Sequence, residues 1–135
     1  SALNIPIELE NVEWKVYLDR MDNLEYDIAR AGWIGDYHEP STFLDMFMTD
    51  NGNNDTGWGN PTYDSLIERA KRAADPAERL RLYQQAETIL INEMPIMPLF
   101  YYRNTLMISP RVQGYEPNDR EIWQFKHLRL SPATN

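Results

Sequence analysis

Cysteine is absent, which excludes disulfides and thiolate metal sites but leaves the compartment open, because many exported folds need no bridge. No apolar run approaches the length of a membrane helix, and the chain does not open on the basic stretch and apolar core of a secretory leader. Glycine is sparse, and those at 32, 35, 52, 57 and 59 do not stand in the strand-to-helix context of a phosphate loop or dinucleotide fingerprint. Cations are in the minority as well. The 13 Lys and Arg are dispersed among 21 Asp and Glu, for a net charge of −8 and a pI near 4.7. Such a field argues against binding nucleic acid or an anionic membrane and favours cationic partners.

What remains suits a single folded unit. A chain of 135 residues can bury one core, and its eight Tyr, four Phe and four Trp supply large side chains for it. Residues 5–12 alternate apolar and polar, as a strand with one buried face requires, placing Ile5, Ile7 and Leu9 inward. Trp14 to Met21 suit a short amphipathic helix with Asn23 at its exit. Residues 25–33 read as a second strand, followed by a turn-rich stretch from Ile34 to Ser41. Ser41 or Thr42 can cap a helix carrying Phe43, Leu44, Met46, Phe47 and Met48. A polar loop over 49–60 holds one large apolar residue, Trp58.

Two stronger helix signals come next. Pro61 fits a first turn, and Tyr63, Leu66, Ile67, Ala70 and Ala74 form one stripe. Asp75 is a good amino-cap and Pro76 a good first residue for a second helix over 77–93, with Leu80, Tyr83, Ala86 and Leu90 as its stripe. Pro95 and Pro98 rule out helical continuation, so 96–102 reads as a buried strand, with a further short strand at 106–108. Residues 122–130 alternate in part, and 131–135 read as a tail. The order fits a mixed α/β fold better than a bundle. The opening Ser1-Ala2, so close to an extended apolar pattern, suggests an excised piece.

The stretch Tyr26-Asp27-Ile28-Ala29-Arg30-Ala31-Gly32-Trp33-Ile34-Gly35-Asp36-Tyr37-His38-Glu39-Pro40 resembles the extracellular solute-binding proteins of peptide ABC importers, especially the oligopeptide-binding proteins. Asn60 to Leu66 and Glu93 to Tyr102 fit the same family in the same order. The resemblance extends over nearly the whole chain yet matches only the last quarter of a family member. It implies the carboxy-terminal fragment of a two-lobed periplasmic-binding-protein-like α/β fold. Residues 1–95 would then belong to the distal lobe, and 96–135 would return to the lobe built mainly by a missing amino-terminal portion. It further implies short peptides as ligands, a membrane ABC transporter as partner, and a periplasmic or extracellular location, with a lipid anchor on the parent an open question. No cofactor is implied, and neither metal binding nor catalysis. An isolated fragment of this kind could also dimerise through exposed strands.

The resemblance assigns Asp36 to the amino terminus of a bound peptide, where an enclosed carboxylate can form charge-assisted bonds to an ammonium. The plain alternative is a turn or capping residue. Arg30 falls where the family meets the carboxylate end of suitable ligands, against the alternative of an ion pair with Asp27 or Glu39. Trp33 and Tyr37 can wall the site or pack two lobes together. The backbone of Gly32 and Ile34 can pair with an extended ligand, and Trp58 can border a side-chain pocket. His38 and Glu39 do not complete a metal cage, because neither a second nearby His nor a carboxylate repeat accompanies them. Asp36 with Glu39 as a glycosidase-like pair is a weaker reading still. A competing account makes the chain a structural or interaction domain whose aromatic side chains face a partner.

Overall fold

A computed structural model describes residues 4–103, 105–118, 122 and 124–132. Ser1, Ala2, Trp123 and the last three positions of the tail lie outside the described residues. The core is a helical hairpin in which helix and loop signals agree. We number the helices in chain order as α1 (Trp14–Asp22), α2 (Ser41–Leu44), α3 (Pro61–Arg72) and α4 (Pro76–Glu93).

Both hairpin helices start where a capping side chain precedes a proline. Asn60 Oδ1 accepts from the amides of Thr62 (2.9 Å) and Tyr63 (3.2 Å), and Asp75 Oδ1 accepts from Ala77 (3.0 Å). Each cap satisfies donors that the first turn leaves without a helical partner, and each proline sits where no amide is needed. Arg69, Lys71 and Arg72 in the last turn of α3 oppose its carboxyl-end partial charge. At the end of α4, Met94 adopts left-handed geometry (φ 52°, ψ 43°), and Pro95 prevents the helix from resuming.

Tyr63, Leu66, Ile67 and Ala70 of α3 pack on Leu82, Tyr83, Ala86 and Leu90 of α4, with Leu44 completing the cluster. The Tyr63 hydroxyl donates to the Leu44 carbonyl at 2.5 Å, so its polar end is satisfied in the interior. Full burial of a side chain such as Ile67 contributes about 1.5–3 kcal/mol. Two details differ from the sequence pattern. Ala73, not Ala74, packs against the core, and Leu82 takes the inward place expected for Leu80, which is about half exposed. Leu80 lies three positions before Tyr83, roughly 60° beyond it on the side away from Leu82, and so falls outside the stripe.

The extended segments behave differently. Ordered strands are not formed over 5–12, 25–33, 96–102 or 106–108. These residues run as extended or turning chain, and Ile5, Ile7, Leu9, Ile28, Leu99 and Met107 stay exposed instead of facing a core. A strand needs a neighbour to take its amides and carbonyls. Among the described residues only β1 (Val112–Gln113) and β2 (Arg129–Leu130) find one another, antiparallel, pairing Val112 with Leu130 and Gln113 with Arg129. Gly114, at φ 78°, makes the close approach possible, since a Cβ there would strike the His127 carbonyl. The alternation over 122–130 thus resolves into a 3-10 turn at Phe125–His127 followed by β2.

Candidate peptide-binding site

The segment from Trp33 to Asp45 folds back on itself beside the hairpin. Ser41 and Thr42 start α2 as helical residues and do not cap it; Pro40 occupies the cap position. Their side chains are buried and reach back to the preceding turn. Thr42 Oγ1 accepts from the Asp36 amide at 2.9 Å, and Ser41 Oγ lies 3.0 Å from the Tyr37 hydroxyl and 3.4 Å from Glu39 Oε2. Glu39 also pairs with Arg79 Nε of α4 at 2.9 Å, which ties the turn to the hairpin.

The turn encloses one side of a concavity of about 150 Å³. Trp33, Asp36 and Tyr37 line it from the turn, Ser41, Thr42, Asp45 and Met46 from α2 and the 3-10 turn after it, and Asn51 and Asn53 from the polar loop. The only charged groups in this lining are two carboxylates. Asp45 is balanced from outside, where its Oδ2 meets Lys71 Nζ at 3.0 Å. Burial works to lower the Lys71 pKa, but the hydrogen bond and attraction of Asp45, with Glu68 adding, prevail and raise it. Asp45 Oδ1 is buried without a hydrogen-bond partner.

A second concavity of similar size lies between Glu39, Pro40, Pro76, Arg79, Leu80 and Tyr83. Burial pushes the Tyr83 hydroxyl up, a hydrogen bond from Ser41 acts the other way, and Glu39 and Asp45 add to the rise. Asp36 and Glu39 therefore line different hollows, and Glu39 is engaged by Arg79, which is not the arrangement of a carboxylate pair across one substrate.

The remaining expected residues divide. Arg30 meets neither Asp27 nor Glu39 as a partner; its guanidinium donates to the Tyr102 hydroxyl and stands 6.0 Å from that ring's centre. Gly32 accommodates the same ring, because a Cβ there would lie 3.3 Å from Tyr102 Cε2. Ile34 is largely exposed. Trp58 does not line the Asp36 concavity. It packs edge-on against Tyr63 (5.1 Å between centres) and donates to Glu93 Oε2 at 2.7 Å, while Asn60 Nδ2 donates to Glu93 Oε1 at 2.7 Å. The site thus brings together Trp33, Asp36 and Tyr37 and sets Arg30 with Gly32 against Tyr102. Sequence reasoning missed Thr42, Asp45, Asn51 and Asn53 as lining residues. Their polarity was visible, but it reads equally as caps and loop.

The oligopeptide-binding protein OppA of Bacillus subtilis is 40% identical over 113 residues, covering 83% of this chain and 21% of that protein. Its relatives include several peptide-binding proteins, among them the periplasmic OppA of Salmonella typhimurium, 39% identical over 87% of this chain and 22% of that protein. The chain resembles a carboxy-terminal fragment of the oligopeptide-binding family and spans about a fifth of the length of such relatives. The murein tripeptide binding protein MppA of Escherichia coli superposes with a TM-score of 0.85 at 33% identity, over 95% of this chain and 25% of that one. Haemophilus influenzae OppA, solved in complex with the peptide RPPGFSPFR, gives a TM-score of 0.77 at 37% identity, over 91% and 24% of the two chains. The helix-rich unit with its small sheet is consistent with a portion of the two-lobed fold of the oligopeptide-binding proteins. No protein-family model matches the chain. Among the described residues, no helix is long and apolar enough to cross a membrane, and no group of three or more His, Asp or Glu is placed to hold a metal ion.

Proposed function

We propose that this chain, as part of a longer polypeptide, supplies one wall of a cleft that captures short peptides noncovalently for delivery to an ABC importer. The observation that carries the reading is the Asp36 concavity, lined by two aromatic side chains, two carboxylates, Met46 and neutral polar groups without a cation, in a chain homologous to oligopeptide-binding proteins. Asp36 takes the peptide ammonium. Once the opposing lobe excludes water, that charge-assisted bond strengthens. Arg30 takes the carboxylate of ligands long enough to reach it, exchanging its Tyr102 contact for a bidentate one. Trp33 and Tyr37 flank the peptide, and the backbone of Gly32 and Ile34 pairs with it in the manner of an added strand. Residues 1–95 belong to the distal lobe and 96–135 return to the other. No covalent bond changes. The parent polypeptide works on the periplasmic or extracellular face, where a lipid anchor would hold it near its importer.

Calorimetric titration of the longer polypeptide with Ala-Ala-Ala and with its N-acetylated form tests the reading. The free peptide should bind, while acetylation and Asp36→Ala should each weaken it by roughly tenfold or more. Binding that survives both changes would remove Asp36 from the site.

A further inference from the structure

We propose that Thr42 is the positioning residue for Asp36, and that its hydroxyl, not its methyl group, performs this role. The inference rests on the peptide-capture reading for its consequence, but on the turn's own geometry for its cause. Asp36 itself lies in an exposed turn, whereas Thr42 is only 6% exposed and belongs to the first turn of α2. Ser and Thr serve their own helix when they stand at the cap, the place that Pro40 takes here. Thr42 Oγ1 instead takes the Asp36 amide at 2.9 Å across six residues.

Three further bonds make the closure directional. The Thr42 amide donates to the Glu39 carbonyl (3.3 Å), the Glu39 amide donates to the Tyr37 carbonyl (3.0 Å), and the Glu39 carboxylate is fixed to Arg79 (2.9 Å). The far end of the loop is therefore anchored to the hairpin, and the Thr42 hydroxyl transmits that anchor to the residue bearing the carboxylate. Without it, the Asp36 amide loses its acceptor and the peptide plane before Asp36 is free to turn, carrying the side chain with it. The Thr42 methyl has a separate task. It stands against Gly35, where a Cβ would lie 3.2 Å from Thr42 Cγ2.

Hydroxyl and methyl can be removed one at a time. Thr42→Val keeps the shape and deletes the acceptor, while Thr42→Ser keeps the acceptor and deletes the methyl. In the longer polypeptide, T42V should weaken Ala-Ala-Ala binding by roughly tenfold, the equivalent of one lost hydrogen bond, and T42S by no more than about twofold. In the 135-residue chain, hydrogen exchange at the Asp36 amide should be faster in T42V and close to wild type in T42S. The exchange measurement stands even if the wild-type protein binds no peptide, an outcome that would refute the capture reading alone. Should T42V fail to fold, T42S decides: retained affinity and protection support the hydroxyl, and their loss overturns it. Equal exchange at Asp36 in all three proteins, or T42S weaker than T42V, also overturns the proposal.

Discussion

The α3/α4 hairpin and the extended segments beside it contain similarly apolar residues, yet they treat them in opposite ways. Tyr63 and Ile67 are wholly buried, while Tyr101 and Met107 are 97% and 99% exposed. A helix satisfies its backbone within itself, so two adjacent helices need only align their stripes to bury them. An extended segment makes no backbone hydrogen bonds within itself, so its amides and carbonyls wait for another strand to lie alongside. The hairpin is thus self-sufficient, and the segments around Leu9, Leu99 and Met107 are written for contacts that these residues do not make with one another. Exposed apolar area of that kind signals a surface that functions when covered.

The contrast should be sharpest under truncation. Ile67→Ala should destabilise the chain by about 2–5 kcal/mol in urea unfolding, whereas Met107→Ala should fall within about 0.5 kcal/mol. A comparable cost at both positions would mean that Met107 is packed in solution and that the two regions are not distinct.

Alkaline pH probes the same core with a proton in place of a cavity. Burial pushes the Tyr63 hydroxyl far above the ordinary tyrosine value of 10, with Asp45, Asp64 and Glu87 adding. Below that value both states keep the proton, and the contribution is constant. Above it the unfolded chain releases the proton while the folded one holds it, so stability falls as pH rises. Urea midpoints measured from pH 8 to 11 should decline beyond about pH 10, and Tyr63→Phe should remove much of the decline. Burial also raises Tyr26 and Tyr83, which leaves a residual slope.

The smallest effect concerns the helix starts. Asn60→Ala should cost about 1 kcal/mol or somewhat more, because the side chain serves two amides of α3 and Glu93 as well. Asp75→Ala, which loses one amide contact, should cost less. Reversal of that order in thermal melts would show that the bond to Glu93 contributes nothing.

These helices were legible from sequence because their signals are local. Pro61 and Asp75-Pro76 announce the starts, and an apolar residue every three or four positions announces the buried face. Even the misplaced Leu80 was an error of angle within a correctly identified helix. The strands were not legible in the same sense, since alternation at Ile5, Ile7 and Leu9 declares a readiness to pair without naming the partner. At the site, Asp36 came from the family resemblance and Trp33 and Tyr37 from the two-sided chemistry of aromatic side chains, and the three share one concavity. Thr42 and Asp45 came from neither, because a hydroxyl or carboxylate beside a helix start has several ordinary uses and only the folded turn chooses among them. Trp58 was readable as a large side chain in a polar loop, but its bond to Glu93 joins residues 35 positions apart.

That bond, with the one from Asn60 to the same carboxylate, brings the two ends of the hairpin to a single point. The polypeptide leaves its course at Asn60 and resumes it at Glu93 almost where it departed, like a side road that rejoins the highway at its own junction. Lengthening or shortening both helices by matched turns would change how far the spur projects without redirecting the through route.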